Sequence, residues 1–453
     1  MDGANASECT GTQTRIIVLD DDPTGSQTVH GCLLLTRWDV ATLKRALADS
    51  APISFVLTNT RALDAKRAAA LTREVCVNLK QALAGFSLHP IFVSRSDSTL
   101  RGHYPVETDV MAAELGPFDA HFLVPAFFEG GRVTRDSIHY LRAEGREIPV
   151  HETEFGRDSV FGYRHSYLPK YVEEKTKGRI RAGEVVRFTL AEVRRGVFDR
   201  LLTLRHNLCV VVDAERQSDL DRFADDVRRA AAADKRFLFR SAASLLTSLA
   251  HLPPQPVKPE DMARYVRGSR PGAVVVGSHV PKSTRQLHEL LKQPGVQPIE
   301  VDVNRLPHDH DALLAQALAQ AEAAHHAGRT LVVFTSRSER QFDDQTTRLA
   351  FGEQVSAFLM DVVRGLPRTI GFLMSKGGIT SNDVLSDGLA LPAARLLGQI
   401  LPGVSVVRCP PNHARYPDLP VVIFPGNVGD DQALTEVCRR LHGLLVTARQ
   451  VDG

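Results

Sequence analysis

Short apolar, β-branched runs alternate with longer amphipathic stretches along most of the chain, the pattern of repeated strand–helix–strand units around a parallel sheet. In the first half, Ile16–Leu19, Ile53–Leu57, Ile91–Val93, His121–Val124, Val185–Thr189 and Leu208–Val212 predict strands. Asp64–Leu83, Ala191–Leu204 and Ser218–Ala232 carry helical patterns, with Asp64 and Ser218 at the expected N-caps. A second series follows, with strands at Ala273–Val276, Pro298–Val303, Thr330–Phe334, Ile370–Met374, Val404–Val407 and Val421–Phe424. Its helical patterns include Ser283–Lys292, Asp311–His326, Gln354–Val363 and Gln432–Leu445.

The rhythm breaks in two places. Gly130–Lys177 holds His, Tyr, Arg and Glu without a sustained period, which predicts a long excursion over the sheet edge. A functional loop and a plain surface insertion are both open readings of it. Pro253, Pro254 and Pro256 crowd Leu252–Lys258 and mark an interdomain linker. The expected division is a flexible N-terminus over 1–14, a first domain over 15–250, a linker over 251–262 and a second domain over 263–453. The fold class is α/β: two Rossmann-like domains with mainly parallel sheets, helices on both faces and the active site in the interdomain cleft.

Size and charge narrow the partners. At 453 residues the chain exceeds one ordinary core, in keeping with two domains. Lys and Arg number 55 against 53 Asp and Glu, so there is no electrostatic footprint for nucleic acid. No uncharged apolar run reaches the roughly 18–20 residues that span a bilayer. Cys9, Cys32, Cys76, Cys209, Cys409 and Cys438 are scattered singly, which fits a reduced, cytoplasmic setting without a disulfide framework or zinc site. A homodimer is left open.

Three polar loops follow predicted strands. Asp20-Asp21-Asp22-Pro23-Thr24-Gly25 puts three carboxylates where open α/β sheets bind ligands, and adjacent carboxylates need a cation, a hydroxyl or shared protons. Arg95-Ser96-Asp97-Ser98-Thr99-Leu100-Arg101-Gly102 mixes guanidinium groups, hydroxyls and a carboxylate, suited to a small hydroxylated anion. Helix capping would use the same residues. Lys376-Gly377-Gly378-Ile379-Thr380-Ser381 precedes a short helix, and its paired glycines allow close backbone approach to a phosphate. Pro425-Gly426-Asn427-Val428-Gly429 repeats that pattern, and together the two loops suggest a nucleotide cradle. Gly277-Ser278-His279-Val280-Pro281-Lys282 lacks the glycine a P-loop places before its lysine. His308-Asp309-His310-Asp311 is expected to cap a helix rather than ligate metal.

The aspartate run admits a second reading. Asp20-Asp21-Asp22-Pro23-Thr24 matches the nucleophile loop of haloacid-dehalogenase-type phosphatases, with Asp20 as nucleophile, Asp22 as acid/base partner, Mg²⁺ between them, and Lys376 with Asp430-Asp431 as further parts. That reading leaves Asp97–Gly102 unused. A non-catalytic sugar-acid-binding protein is the third alternative.

In order and spacing, Asp21-Asp22-Pro23-Thr24-Gly25, Asp97-Ser98-Thr99-Leu100-Arg101-Gly102, Gly277-Ser278 and Gly377-Gly378-Ile379-Thr380-Ser381 resemble the four-carbon acid sugar kinases, formerly a domain-of-unknown-function family. The resemblance runs from about Arg15 to Leu445. It implies an N-terminal acid-sugar-binding domain, a C-terminal nucleotide-binding domain, and ATP-dependent phosphorylation of a tetronate, the family's substrates including threonate, erythronate and 3-oxo-tetronate. Mg²⁺ is expected from the phosphate chemistry alone. From the chemistry of the loops, Asp22 first and Asp97 second are the expected catalytic residues, orienting or deprotonating the acceptor hydroxyl. Asp21, Thr24, Gly25, Arg95, Ser98, Thr99, Arg101 and Gly102 would hold the sugar acid, with Arg101 gripping its carboxylate. Ser278, Lys376, Gly377, Gly378, Ile379, Thr380, Ser381, Gly426 and Asn427 would hold ATP, and the metal ligands are unassigned. Arg95 stands where the family commonly has lysine, and Ile379 where it commonly has Glu or Asp.

Overall fold

The computed structural model describes residues 13–143, 145–337 and 345–442. Fifteen strands join in one sheet that runs through both halves of the chain. In the first half, Leu33–Leu35, Ile53–Leu57, Gln13–Asp20, Leu88–Arg95, Phe237–Ser241, Ala120–Val124, Leu208–Val212 and Val186–Phe188 lie side by side, all parallel. In the second, Val296–Val301, Thr330–Thr335, Ala273–Val276, Leu373–Lys376 and Pro420–Phe424 are parallel, followed by antiparallel Val404–Arg408 and Ala393–Leu401.

The strands read as unbroken apolar runs because helices cover both sheet faces. Every residue of Ile53–Leu57 and Ala273–Val276 is buried. The helix Ala65–Leu83 starts where predicted, with the Asp64 side chain accepting from the Arg67 amide at 2.9 Å. Ser218 is not a cap: that helix spans Gln217–Ala232, and Asp219 accepts from the amides of Glu215 and Arg216 at 3.0 and 3.2 Å. The His308–Asp311 run lies inside the helix Leu306–His326 rather than ahead of it. Among the described residues no helix is long and apolar enough to cross a membrane.

Three strands of this sheet escaped the sequence pattern: Leu33–Leu35, Phe237–Ser241 and Ala393–Leu401. The first and last matter most. Ala393 pairs with Leu35, Ala394 with Leu34 and Arg395 with Leu33, antiparallel, and this short ladder welds the two half-sheets edge to edge. Arg395 adds an ion pair to Asp49 at 2.6 Å. The halves are thus tied by backbone hydrogen bonds as well as by the proline-rich segment. Downstream of that segment a 3₁₀ turn, Pro259–Tyr265, buries Met262 in the second domain's core.

The excursion is more ordered than its lack of period implies. It contains a three-stranded antiparallel sheet of Arg132–Arg135, Ile138–Ala143 and Arg146–Pro149, then a helix over Leu168–Lys175. Its own core comprises Leu100, Tyr104, Leu123, Val150, Tyr163, Leu168, Tyr171 and Val172 with their neighbours. The N-terminal tail and the end of the last predicted helix, 443–445, lie outside the described residues, apart from Gln13 and Thr14 in the first strand.

Candidate functional site

In the first half, the strands Gln13–Asp20 and Leu88–Arg95 are neighbours whose register sets Asp20 opposite Arg95 at their carboxyl ends. The chain returns in opposite directions from these two strands, which opens a crevice between their following loops. Asp20 is fully buried, and Arg95 Nη1 meets its Oδ1 at 3.4 Å. Its Oδ2 has no hydrogen-bond partner. Burial is the main cause that raises its pKa to about 7, with Arg95 opposing and Asp21 and Asp22 adding to the rise. Gly25 packs so closely on this carboxylate that no side chain fits there.

Asp21 is also buried and receives Arg61 Nε at 3.2 Å and Ser96 Oγ at 2.6 Å. Asp22 emerges into the crevice. Its Oδ1 accepts from the Thr24 amide at 2.8 Å, and its Oδ2 meets Arg61 Nη1 at 3.2 Å. Asp97 accepts from Arg101 Nε at 2.7 Å and from the Thr99 hydroxyl. Burial pushes both Asp22 and Asp97 upward, yet nearby guanidinium groups win: Arg61 with Arg95 for Asp22, and Arg61 with Arg101 for Asp97. Asp22 is thus held below the usual carboxylate range and Asp97 well below it. Arg61 is bonded to the first loop through Asp21 and Asp22 and acts on Asp97 of the second through its charge.

The Asp97–Gly102 loop is held from behind by the excursion. His139 Nε2 donates to Ser98 O at 2.7 Å, Tyr163 OH to Thr99 O at 2.6 Å, and Tyr171 OH to Leu100 O at 2.8 Å. Three consecutive carbonyls are thereby fixed, and Leu100 is held at φ +67°, a conformation most side chains avoid. Gly102, at φ +113°, leaves no room for a Cβ beside Ser96 Oγ, Arg240 and Asp21. Arg240 reaches this point from Phe237–Ser241 and donates to Ser94 Oγ at 2.8 Å while pairing with Glu107. Glu107 in turn accepts from Thr60 Oγ1 at 2.6 Å.

In the second half, Ala273–Val276, Leu373–Lys376 and Pro420–Phe424 end level with one another, Val276 opposite Lys376 and Lys376 opposite Phe424. Their loops gather Ser278, Gly377–Thr380 and Gly426 at one edge. Gly377 has φ +119°, and a Cβ on it would come 3.0 Å from Ser278 Cβ. A Cβ on Gly426 would lie 3.4 Å from Ser278 Oγ, so glycines keep the backbone bare around that hydroxyl. Ser283 Oγ bonds Ser278 Oγ and Gly426 O, both at 3.1 Å. Ile379 is exposed at 65%, and Asn427 is exposed in the Pro425–Gly429 loop.

Two residues of this cluster face inward. Lys376 is fully buried, stacked 4.0 Å from the centroid of the Phe424 ring, and donates to Pro425 O at 2.6 Å and Gly426 O at 3.3 Å. Burial, then the charge of Lys282, lowers its pKa to about 7. It braces the Gly426 turn from below. Ser381 Oγ bonds Ser375 Oγ at 2.9 Å in the core. The halves meet at Gly378, where a Cβ would fall 3.8 Å from Asp22 Oδ2.

The predicted residues thus lie in two loop clusters that approach each other at Asp22 and Gly378, but Lys376 and Ser381, expected to hold ATP, are turned into the core. Sequence pattern missed Arg61, Arg132, Arg240, Glu107, His139, Tyr163 and Tyr171. Arg61 and Glu107 sit in helical segments with no local sign of their partners, and the rest lie in the strand or excursion that lacked a readable period. Among the described residues no cluster of three or more His, Cys, Asp and Glu side chains forms a metal cage. Beside the clusters, a cavity of about 610 Å³ lies between Phe127–Arg132 of one half and Asn427–Ala433 of the other.

A family model described as a sugar-binding N-terminal domain matches residues 16–249, and one described as a nucleotide-binding C-terminal domain matches residues 273–434. A D-erythronate kinase of Heliobacterium modesticaldum is 26% identical over 219 residues, 47% of each chain. A D-threonate kinase of Bordetella bronchiseptica is 29% identical over 215 residues, 46% of this chain and 48% of its own. The chain spans about half the length of the curated relatives it matches. In fold it is similar to a Salmonella typhimurium LT2 protein provisionally labelled a tRNA synthase, with TM-score 0.69, 18% identity, and coverage of 94% and 99% of the two chains. The Haemophilus influenzae protein HI1011, of the DUF1537 family, gives TM-score 0.62, 16% identity, and 93% and 98% coverage. These likenesses are of fold. With the sugar-binding model spanning more than half of its length and the nucleotide-binding model most of the remainder, the chain belongs to the four-carbon acid sugar kinase family.

Proposed function

We propose that this protein is an ATP-dependent kinase that phosphorylates a four-carbon sugar acid of the threonate, erythronate or 3-oxo-tetronate type, on its terminal hydroxyl. The observation that carries this reading is the approach of Asp22 Oδ2 to Gly378. An ionised carboxylate from the acid-sugar half faces the bare backbone of the phosphate-loop half, which is where an acceptor hydroxyl and a transferring phosphoryl group have to meet.

In this reading Asp22 orients the acceptor hydroxyl and takes its proton late, since its low pKa makes it a weak base in the ground state. Asp97 is the second candidate, but its pairing with Arg101 commits one oxygen. Bare glycines at 377, 378 and 426 and the Ser278 hydroxyl fit the phosphates of ATP, and positioning with charge stabilisation supplies the rate. Mg²⁺ arriving with ATP would offset phosphate charge. The family relatives named as D-erythronate and D-threonate kinases support the substrate class.

The phosphatase reading loses its parts. Asp20 is buried behind Gly25, Lys376 points under its own loop, and Asp430 lies on an exposed turn. A coupled assay with a panel of four-carbon sugar acids tests the proposal: ADP release that depends on the acid is expected. Phosphate release from sugar phosphates without ATP, or binding of the acid without turnover, would reject it.

A further inference from the structure

Arg132 opens the strand Arg132–Arg135 and stands beside Arg101. Both guanidinium groups lie on Phe155, at 6.0 Å and 4.9 Å from its ring centroid. Their electrostatic circumstances differ. Arg101 donates to Asp97 at 2.7 Å and pairs with Asp158 at 3.5 Å, so two carboxylates already offset its charge. Arg61 is likewise paired with Asp21 and Asp22, Arg95 with Asp20, and Arg240 with Glu107.

Arg132 forms no ion pair within 4.0 Å among the described residues. Its Nη1 donates to Gly130 O, and its Nε is buried with no partner at all. A buried guanidinium N–H without an acceptor is costly, which favours a ligand that supplies one. The side chain lines the interdomain cavity, with Phe127 on the same wall and Asn427 and Gly429 opposite. Three carboxylates share the cavity lining and each is engaged. Glu129 accepts from Gln399 Nε2 at 3.1 Å on the wall of Arg132, while on the opposite wall Asp430 accepts from the Gln432 amide at 3.0 Å and Glu436 from Arg440 Nε at 2.9 Å.

We infer that Arg132, rather than Arg101, binds the carboxylate of the acid substrate, from the wall of the cavity between the two domains. The inference rests on the proposed phosphorylation of a sugar acid. A planar guanidinium with free N–H groups matches a carboxylate through two parallel hydrogen bonds. Arg101, tied to Asp97 and Asp158, then serves as a positioning residue that shapes the loop.

The test compares full-length wild type with Arg132→Gln, Arg132→Lys and Arg101→Gln, using the acid that wild type phosphorylates and the neutral amide of that acid. Arg132→Gln is expected to raise KM for the acid on the order of 10- to 100-fold, the effect of one lost charge-assisted contact. KM for ATP should stay within about twofold, because the nucleotide loops are untouched. The preference for acid over amide should vanish, and Arg132→Lys should recover part of it. Should the Gln variant not fold, calorimetric binding of acid and amide to Arg132→Lys reads the same preference, weakened. Retention of that preference in the Arg132 variants, with its loss in Arg101→Gln, overturns the inference. Wild type that phosphorylates no four-carbon acid rejects the functional reading itself, an outcome visible before any variant is made.

Discussion

Asp22 Oδ2 lies 3.8 Å from the point where a side chain on Gly378 would begin, although the two residues come from opposite halves of the chain. One belongs to a loop of carboxylates and the other to a loop of bare backbone. The distance is ordinary van der Waals contact, so an alanine fits there without distorting the fold. It would still occupy the gap in which the reacting groups are proposed to meet. Gly378→Ala should therefore lower kcat/KM by about tenfold or more, as small misplacements do, with little change in Tm. Full activity in that variant would remove the gap from the reaction.

Asp22→Asn keeps the shape of the loop and removes the charge. If Asp22 orients and finally deprotonates the acceptor hydroxyl, kcat should fall by roughly 10²- to 10⁴-fold. KM for ATP should hold. Asp97→Asn, measured alongside, should lose less, and the reverse order would exchange the two roles.

Tyr163→Phe removes the hydroxyl that donates to Thr99 O at 2.6 Å and leaves that carbonyl without its partner in a buried place. A stability loss of about 1–3 kcal/mol is expected from the unsatisfied group. The positioning role adds a second readout: KM for the sugar acid should rise several-fold while KM for ATP does not. Equal effects on both constants would make Tyr163 a core residue only.

Asp20 and Lys376 are both buried, and both titrate near neutrality in the folded protein from opposite sides. Burial raises Asp20 from 3.8 to about 7, so the folded state keeps a proton that the unfolded chain releases. The stability from this group is present in acid and is lost as pH rises through about 7. Burial lowers Lys376 from 10.5 to about 7, so above that pH the unfolded chain binds the extra proton and stability rises toward 10.5. Asp20→Asn should flatten the acid limb of a stability profile and Lys376→Met the alkaline limb, read by denaturant melts at about pH 5, 7 and 9. Limbs that remain parallel to wild type would contradict these assignments.

Gly25 is required for a reason its turn does not announce: a Cβ there would overlap the carboxylate of Asp20. Gly25→Ala should destabilise the protein by about 1–3 kcal/mol or more through overpacking. Trimming the clash with Asp20→Ala in the same chain should restore part of the loss, a positive coupling measurable in a double-mutant cycle. Additive losses would place the strain elsewhere.

Much of the architecture was legible because buried parallel strands carry their own signal. Runs such as Ala273–Val276 and Leu208–Val212 are continuous, β-branched and bounded by polar turns, so their positions emerged closely matched. The strands that escaped are those whose identity depends on a distant neighbour. Leu33–Leu35 is three residues long and becomes a strand by pairing with Ile53–Leu57 on one side and Ala393–Leu401 on the other. The excursion was opaque for a related reason: its small sheet and aromatic core are organised around the Asp97–Gly102 loop rather than around a period of their own.

By itself the sequence determined the alternation of strands and helices, the two-domain order, and the polar loops placed at strand ends. Local chemistry suffices for that, since apolar period, turn residues and glycine pairs act over a few positions. Only the tertiary structure decided which charges cancel. Arg101, whose local partner is Asp97, gains Asp158 from the excursion, whereas Arg132 has no ion pair within 4.0 Å among the described residues and feels Asp97 and Glu154 only at longer range. Net charge at a site is a sum over neighbours brought together by folding, and no stretch of chain carries that sum alone.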